Sequence, residues 1–239
     1  CSSDLTNSEG GEILFTNSAT LDSQSTEHNA VSFDAGTSSI TFNANIGAAS
    51  GTSSLGTFTV QEADAGVIFG GADSSTGAGG SGPVTTVNTD GAIDLGVSNN
   101  VIGGAGIVLN GGAGNATLTI QTTGDAIRFN GATTLASNVV LDTDNADGTD
   151  TAGGTITLTN DAPINSASNE HNNFTLDAGT AAILFNANIG AAQSIGSFTV
   201  TEADSGLVFG EADTATTGSG RTGPVNVIST DGAINFGVG

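Results

Sequence analysis

The amino-acid sequence predicts an all-β chain folded as a right-handed parallel β-helix (solenoid) with coils of about 27 residues. The first observation behind this is a short apolar-x-apolar unit that returns nine times: Ile13-Leu14-Phe15, Ile40-Thr41-Phe42, Val67-Ile68-Phe69, Ile93-Asp94-Leu95, Ile127-Arg128-Phe129, Ile156-Thr157-Leu158, Ile183-Leu184-Phe185, Leu207-Val208-Phe209 and Ile234-Asn235-Phe236. Successive first residues lie 27, 27, 26, 34, 29, 27, 24 and 27 positions apart, a period that marks stacked repeats rather than one globular core. The second observation is the corner that follows, where Asn17, Asn43, Asn130, Asn160 and Asn186 alternate with Gly70, Gly96, Gly210 and Gly237. Both residue types accept left-handed backbone, and stacked Asn can hydrogen-bond from rung to rung. The third is composition: 37 Gly and 3 Pro in 239 residues, with the apolar residues in short alternating runs and no Trp, Tyr or Met. Such a chain can line a core with short strands joined by tight corners, and disorder is a poor reading of it.

Taken in order, a first segment runs from Leu5 through Ile13 and Phe15 to Leu21, and a polar stretch, 22–29, follows. Val31 and Phe33 then form a strand that turns at Asp34-Ala35-Gly36 into Ile40 and Phe42, with Ile46 as a third apolar point. The next unit repeats the layout with Phe58 and Val60, the turn Glu62-Ala63-Asp64-Ala65-Gly66, and Val67 and Phe69. A Gly- and Ser-rich loop, 70–82, is expected outside the core, before Val87, Ile93, Leu95 and Val97. Ile107, Leu109, Leu118 and Ile120 fill the one long gap, either as an insertion within a coil or as an extra short coil. Val139 to Leu141 open the next unit, and the acidic segment 142–150 separates them from Ile156 and Leu158.

A longer period lies over the short one. Residues 11–49 match 154–192 at an offset of 143, with 23 of 39 positions identical, including Glu27-His28-Asn29 with Glu170-His171-Asn172. After a three-residue deletion the match runs on to Ile93 and Ile234. The organisation expected is one continuous β-solenoid over 1–239, with 11–97 and 154–238 as copies of a repeat about five coils long and 98–153 as less regular connecting coils. The second copy breaks off at Gly239, so the sequence reads as an excerpt or processed piece of a longer array, with no cap at either end.

An antiparallel reading competes. Val87-Asn88-Thr89-Asp90-Gly91-Ala92-Ile93 looks like a hairpin on an Asp-Gly turn, and hairpins in series build sandwiches or propellers. Against it, the turns differ in length while the period holds near 27. The lines Ser39-Ile40-Thr41-Phe42-Asn43-Ala44-Asn45-Ile46-Gly47 and Leu55-Gly56-Thr57-Phe58-Thr59-Val60 resemble the β-strand-repeat regions of large secreted bacterial proteins of the filamentous-haemagglutinin and autotransporter-adhesin type. The resemblance covers nearly the whole chain through a degenerate motif. It implies a right-handed β-helix exported to the cell surface, acting as stalk, adhesin or fibre. The N-terminal secretion domain of that family is not recognisable here.

Charge narrows the partners. There are 24 acidic residues against two arginines, Arg128 and Arg221, and no lysine. Affinity for phosphates rests on Lys and Arg, so nucleic acid and anionic membranes are excluded as partners. Lysine-based catalysis and Lys–Asn isopeptide bonds are excluded with them. Cys1 is the single cysteine, so no disulfide forms within the chain; a lipid anchor, an intermolecular disulfide and an arbitrary chain boundary are the competing readings of Cys1-Ser2-Ser3-Asp4. No stretch is long and apolar enough to read as a membrane-spanning helix.

No catalytic constellation is legible and no cofactor is expected, calcium excepted. His28 and His171 occupy the same place in the two copies and read as loop histidines. The sharpest local signal is 142–150, where Asp142, Asp144, Asp147 and Asp150 offer closely spaced oxygens around Gly148, as calcium loops do. Its spacing departs from the EF-hand pattern, it lacks the closing Glu, and the aligned places of the first copy hold Cys1, Asp4 and Asn7. A solvated insertion loop is the competing reading, and Glu62-Ala63-Asp64 and Glu202-Ala203-Asp204 read as solvated corners. The function expected is non-enzymatic: an extracellular or cell-surface β-helical fibre or adhesin segment, stacking end to end into filaments and meeting a glycan or receptor through its loops. Two alternatives stand beside it: a carbohydrate-binding or carbohydrate-active β-helix, and a calcium-stabilised antiparallel β-repeat module.

Overall fold

The structure, a computed structural model, describes residues 10–47, 53–71, 82–97, 100–114, 116–144, 152–210 and 223–237. Among these residues there is no helix, and the strands form three parallel sheets. Sheet A holds β1 (Ile13–Phe15), β3 (Ser39–Phe42), β5 (Gly66–Phe69), β8 (Ile102–Leu109), β11 (Gly131–Leu135) and β14 (Ile164–Ser166). Sheet B holds β6 (Thr86–Thr89), β9 (Thr117–Thr122), β12 (Asn138–Asp142), β15 (Phe174–Asp177), β17 (Phe198–Glu202) and β19 (Ile234–Phe236). Sheet C holds β2 (Val31–Asp34), β4 (Phe58–Glu62), β7 (Ile93–Leu95), β10 (Ile127–Phe129), β13 (Ile156–Leu158), β16 (Ala182–Phe185) and β18 (Gly206–Phe209). Single parallel bridges extend two of these ladders: Leu21 and Ile46 lead to Val87 in sheet B, and Ile189 and Ile228 continue from Ile164 in sheet A. The chain therefore passes from A to B to C and back to A, rung after rung, in a solenoid-like architecture.

The alternation seen in the sequence is what makes each strand work. In β7, β10 and β13 the outer two residues are buried and the middle one (Asp94, Arg128, Thr157) faces out. Each inward Ile, Leu, Val or Phe removed from water contributes about 1.5–3 kcal/mol. On the outside, Arg128 meets Asp94 of the rung beside it at 2.8 Å, as the register Arg128↔Asp94 requires. Phenylalanines gather at the two ends of the core. Phe15, Phe42 and Phe69 stack with ring centroids 5.1 and 5.3 Å apart, Phe185 and Phe209 stack at 5.2 Å, and Phe236 packs edge-on against Phe198.

The antiparallel reading is overturned. Val87 lies in sheet B and Ile93 in sheet C, and among the described residues every pairing between named strands is parallel, with one isolated antiparallel bridge, Thr123↔Asp144. The Asp-Gly turn between them does not close a hairpin, because Asp90 N–H and Gly91 N–H donate to Leu55 and Gly56 of the neighbouring rung. Corner Asn residues also differ from expectation. Among the described residues the non-glycine positions with positive φ are Thr26, His28 and Asn169, so Asn43, Asn130 and Asn186 keep ordinary backbone. They act through their side chains: Asn43 Oδ1 accepts the Gly71 N–H at 2.8 Å, and Asn130 is fully buried with three partners. Left-handed backbone falls to glycine where a neighbouring rung comes close. Gly47 and Gly190, equivalent in the two copies, share φ +68°, and a Cβ on either would sit 2.1 Å from a carbonyl oxygen of Asn88 or Ser229.

The nine apolar triplets do not form one column. Those at 13, 40 and 67 stack in sheet A with the expected register, Ile13↔Ile40↔Val67. The next five, from Ile93 to Leu207, stack in sheet C, and the last, Ile234, lies in sheet B. Twice, from Val67 to Ile93 and from Leu207 to Ile234, the chain covers only two-thirds of a turn between triplets. The partner of Val67 is instead Ile107, on a single coil lengthened between Phe69 and β8. The long gap from Ile93 to Ile127 is one full turn through β8 and β9.

Candidate metal centre

Sheet B ends in a column of carboxylates. Asp142 is in register with Asp177, and Asp177 with Glu202. The last match depends on a bulge: Leu176 pairs with Val200 and Asp177 with Glu202, which skips Thr201 and turns the Glu202 side chain toward the Asp column. The first copy repeats the device, with Phe33↔Val60, Asp34↔Glu62 and Gln61 skipped. Asp34 and Asp177 each cap their own turn, accepting the N–H of Gly36 at 3.0 Å and of Gly179 at 3.1 Å. Gly179, at φ +48°, leaves room for Asp144; a Cβ there would lie 2.9 Å from the Asp144 carboxylate.

One carboxylate oxygen from each of Asp144, Asp177 and Glu202 lies within 4.8 Å of the others, and all three residues are half-buried. Calcium binds oxygens at 2.3–2.6 Å, so two ligands of one ion are at most about 5 Å apart. These three residues therefore fit a shared hard cation by spacing and charge, supplying part of the six to eight oxygens that calcium takes. Of the four aspartates singled out in the sequence, Asp144 belongs to this group and Asp142 flanks it, while Asp147 and Asp150 lie outside the described residues. Asp177 and Glu202 were not visible as ligands in the sequence. The signal that could have found them is an acidic residue at the same place in successive coils, as in Asp34 and Glu62.

Asp142 carries the electrostatic cost of the column. Burial, then a hydrogen bond with Asp144 and the like charges of Asp144 and Asp177, pushes its carboxyl up to about 7, although the Asp144 N–H donating to it at 3.1 Å works the other way. With an unfolded value near 3.8, the folded chain holds the extra proton between about pH 4 and 7. Stability from this group is therefore present at acid pH and lost as pH rises through that window. In urea unfolding, Asp142→Asn is expected to raise the midpoint above wild type at pH 8 and to leave it level with wild type at pH 4. An equal difference at both pH values would contradict the sign. Calcium bound by the neighbouring carboxylates would shrink the difference at pH 8.

The histidines serve their turns. His28 Nδ1 lies 2.9 Å from Ser54 Oγ, and His171 Nδ1 lies 3.3 Å from Ser194 Oγ. Around them Ser23 Oγ accepts the Asn29 N–H and Ser166 Oγ the Asn172 N–H, and the two amides donate to Glu27 and Glu170. Asp64 and Asp204 are exposed corners, as expected, whereas Glu62 and Glu202 are half-buried, Glu62 in register with Asp34 in sheet C and Glu202 with Asp177 in sheet B. Among the described residues no helix is long and apolar enough to cross a membrane. No family model, curated protein or solved structure matches the chain.

Proposed function

We infer that the chain is a segment of a non-enzymatic structural protein, an extracellular or cell-surface β-helical fibre or adhesin rod that assembles end to end. One observation carries this. Among the described residues one apolar core runs unbroken through all three parallel sheets, the organisation of a rod whose length is set by its number of rungs. Right-handed winding follows from the strong preference of parallel crossovers for that hand. A basic coil of about 27 residues is supported by the registers Ile13↔Ile40, Ile40↔Val67, Val31↔Phe58 and Ile156↔Ile183, with longer steps where a corner carries an insertion.

The surface location rests on the resemblance to bacterial strand-repeat proteins and on the acidic, lysine-free composition. A glycan or receptor would meet the loops, and membrane attachment would run only through a lipid on Cys1, which lies outside the described residues. Sedimentation and negative-stain imaging across a concentration series test the assembly: filaments that lengthen with concentration are expected, and short monomers at every concentration would overturn it. The carboxylate column of sheet B favours a second reading, a carbohydrate-binding β-helix, which silence on a glycan array would remove.

A further inference from the structure

Two corners inside the stack carry long insertions. Phe42 and Ile46 are joined by Asn43-Ala44-Asn45 alone, yet on the next rung their partners Phe69 and Val87 are separated by residues 70–86. In the second copy Asn186-Ala187-Asn188 joins Phe185 to Ile189, and residues 210–227 lie between the partners Phe209 and Ile228. The pairing is the same on both sides of each insertion, so neither displaces the rungs. The first corner leads from sheet A to sheet B and the second from sheet C to sheet A, which turns them to different sides of the stack.

Each insertion leaves and returns through one narrow neck. Gly70 and Gly210 take φ +76° and +73°, and a Cβ on them would lie 3.1 Å from the Val84 nitrogen and 2.9 Å from the Val225 nitrogen, so the outgoing and returning chains touch. Asparagines of the rung beside it hold both limbs of the neck. Asn43 Oδ1 accepts the outgoing Gly71 N–H at 2.8 Å, and Asn45 Oδ1 accepts the returning Thr85 and Thr86 N–H groups at 2.9 and 3.2 Å. Asn188 Oδ1 does the same for Asn226 and Val227, at 2.8 and 3.0 Å. The backbone ladder resumes at once, the Ile46 carbonyl accepting the Asn88 N–H and the Ile189 carbonyl the Ser229 N–H.

We propose that the Asn-Ala-Asn block is a clamp that closes these necks, and that each of the two corners is a port where the chain carries a guest segment outside the stack, free in length and sequence. The two copies support this between them. Residues 42–47 are identical to 185–190, whereas the segment from Gly70 to Gly82 is one residue shorter than that from Gly210 to Gly223 and differs from it in sequence. The clamp is kept while the segment it closes varies. Lengthening a loop whose ends are already held together costs little, since closure entropy grows only with the logarithm of its length. Surface loops with adjoining ends are also where inserted segments are best tolerated. A port of this kind needs only the stack of rungs and not its assembly into fibres, and it lets a binding sequence be exchanged without refolding the core.

Insertion and hydrogen exchange test port and clamp separately. A Gly-Ser segment of about ten residues placed midway between Gly71 and Gly82 is expected to move the urea midpoint by no more than about 0.5 M, the logarithmic cost of a longer closed loop. The same segment between Gly36 and Thr37 is expected to lower the midpoint by more than about 1 M, because the Gly36 carbonyl in that tight turn accepts the Asp64 N–H of the next rung. In hydrogen exchange the Thr85 and Thr86 amides are expected to stay protected in the protein lengthened at the neck and to exchange about tenfold faster in Asn45→Ala. Asn45→Asp is expected to restore protection, since a carboxylate oxygen accepts both N–H groups as the amide oxygen does. Equal shifts from the two insertions, large or small, would overturn the port. Exchange at Thr85 and Thr86 unchanged by Asn45→Ala, or no slower in Asn45→Asp than in Asn45→Ala, would overturn the clamp.

Discussion

Phe42→Ala is expected to lower the unfolding free energy by about 3–5 kcal/mol, among the largest losses a single substitution can produce here. Phe42 is fully buried, and its ring stacks between Phe15 and Phe69 while Phe33 and Phe58 meet it edge-on at 5.4 and 5.5 Å. Removing it opens a cavity lined by four rings that β1, β2, β4 and β5 hold in place, so little collapse can fill the space. Thr41, the next residue along the same strand, faces outward, and Thr41→Ala is expected to stay within about 0.5 kcal/mol. Urea unfolding of the two variants beside wild type checks the contrast. Equal losses would show that β3 does not bury alternate residues.

Asn130→Ala is expected to cost about 3 kcal/mol by the same measurement, although it deletes no apolar group. Asn130 is fully buried beside β10, and its amide donates to the carbonyls of Gly96 at 3.1 Å and Asn100 at 3.0 Å. Its oxygen accepts the Thr159 hydroxyl at 2.8 Å. One side chain thus joins three consecutive rungs at the corner just past the strands of sheet C. Alanine would leave buried polar groups without it, each costing about 1–3 kcal/mol. Asn130→Asp sharpens the test, because a carboxylate would face two carbonyl oxygens with nothing to donate. That variant is expected to be worse than alanine at neutral pH and to recover in acid, where the carboxyl regains a proton. A loss below about 0.5 kcal/mol for Asn130→Ala would mean that water replaces the amide, against its complete burial.

Much of the fold could be read from short-range pattern. Alternation in Ile40-Thr41-Phe42 or Ile93-Asp94-Leu95 states which side chains go inward, and the inward ones are buried as expected. The stacking of Ile13, Ile40 and Val67 was also readable, because two equal steps leave one register that keeps every apolar residue inside. The candidate metal centre was readable only in part. Asp144 stood out by its acidic neighbours, whereas Asp177 and Glu202 reach it from later coils through a one-residue bulge that leaves no mark on the period.

The sequence could not say which face a triplet occupies. A coil contains three strands of the same apolar-x-apolar form, so Ile93-Asp94-Leu95 in sheet C looks no different from Val67-Ile68-Phe69 in sheet A. Counting similar strings therefore gives a period without a phase. Local residue order settles where strands lie and which side faces inward, since these depend on neighbours a few positions away. Which rung lies on which, where two-thirds of a turn replaces a whole one, and how carboxylates 33 and 25 residues apart converge at Asp144, Asp177 and Glu202 are decided by the stacking of coils. There the burial of a continuous core outweighs any single spacing along the chain.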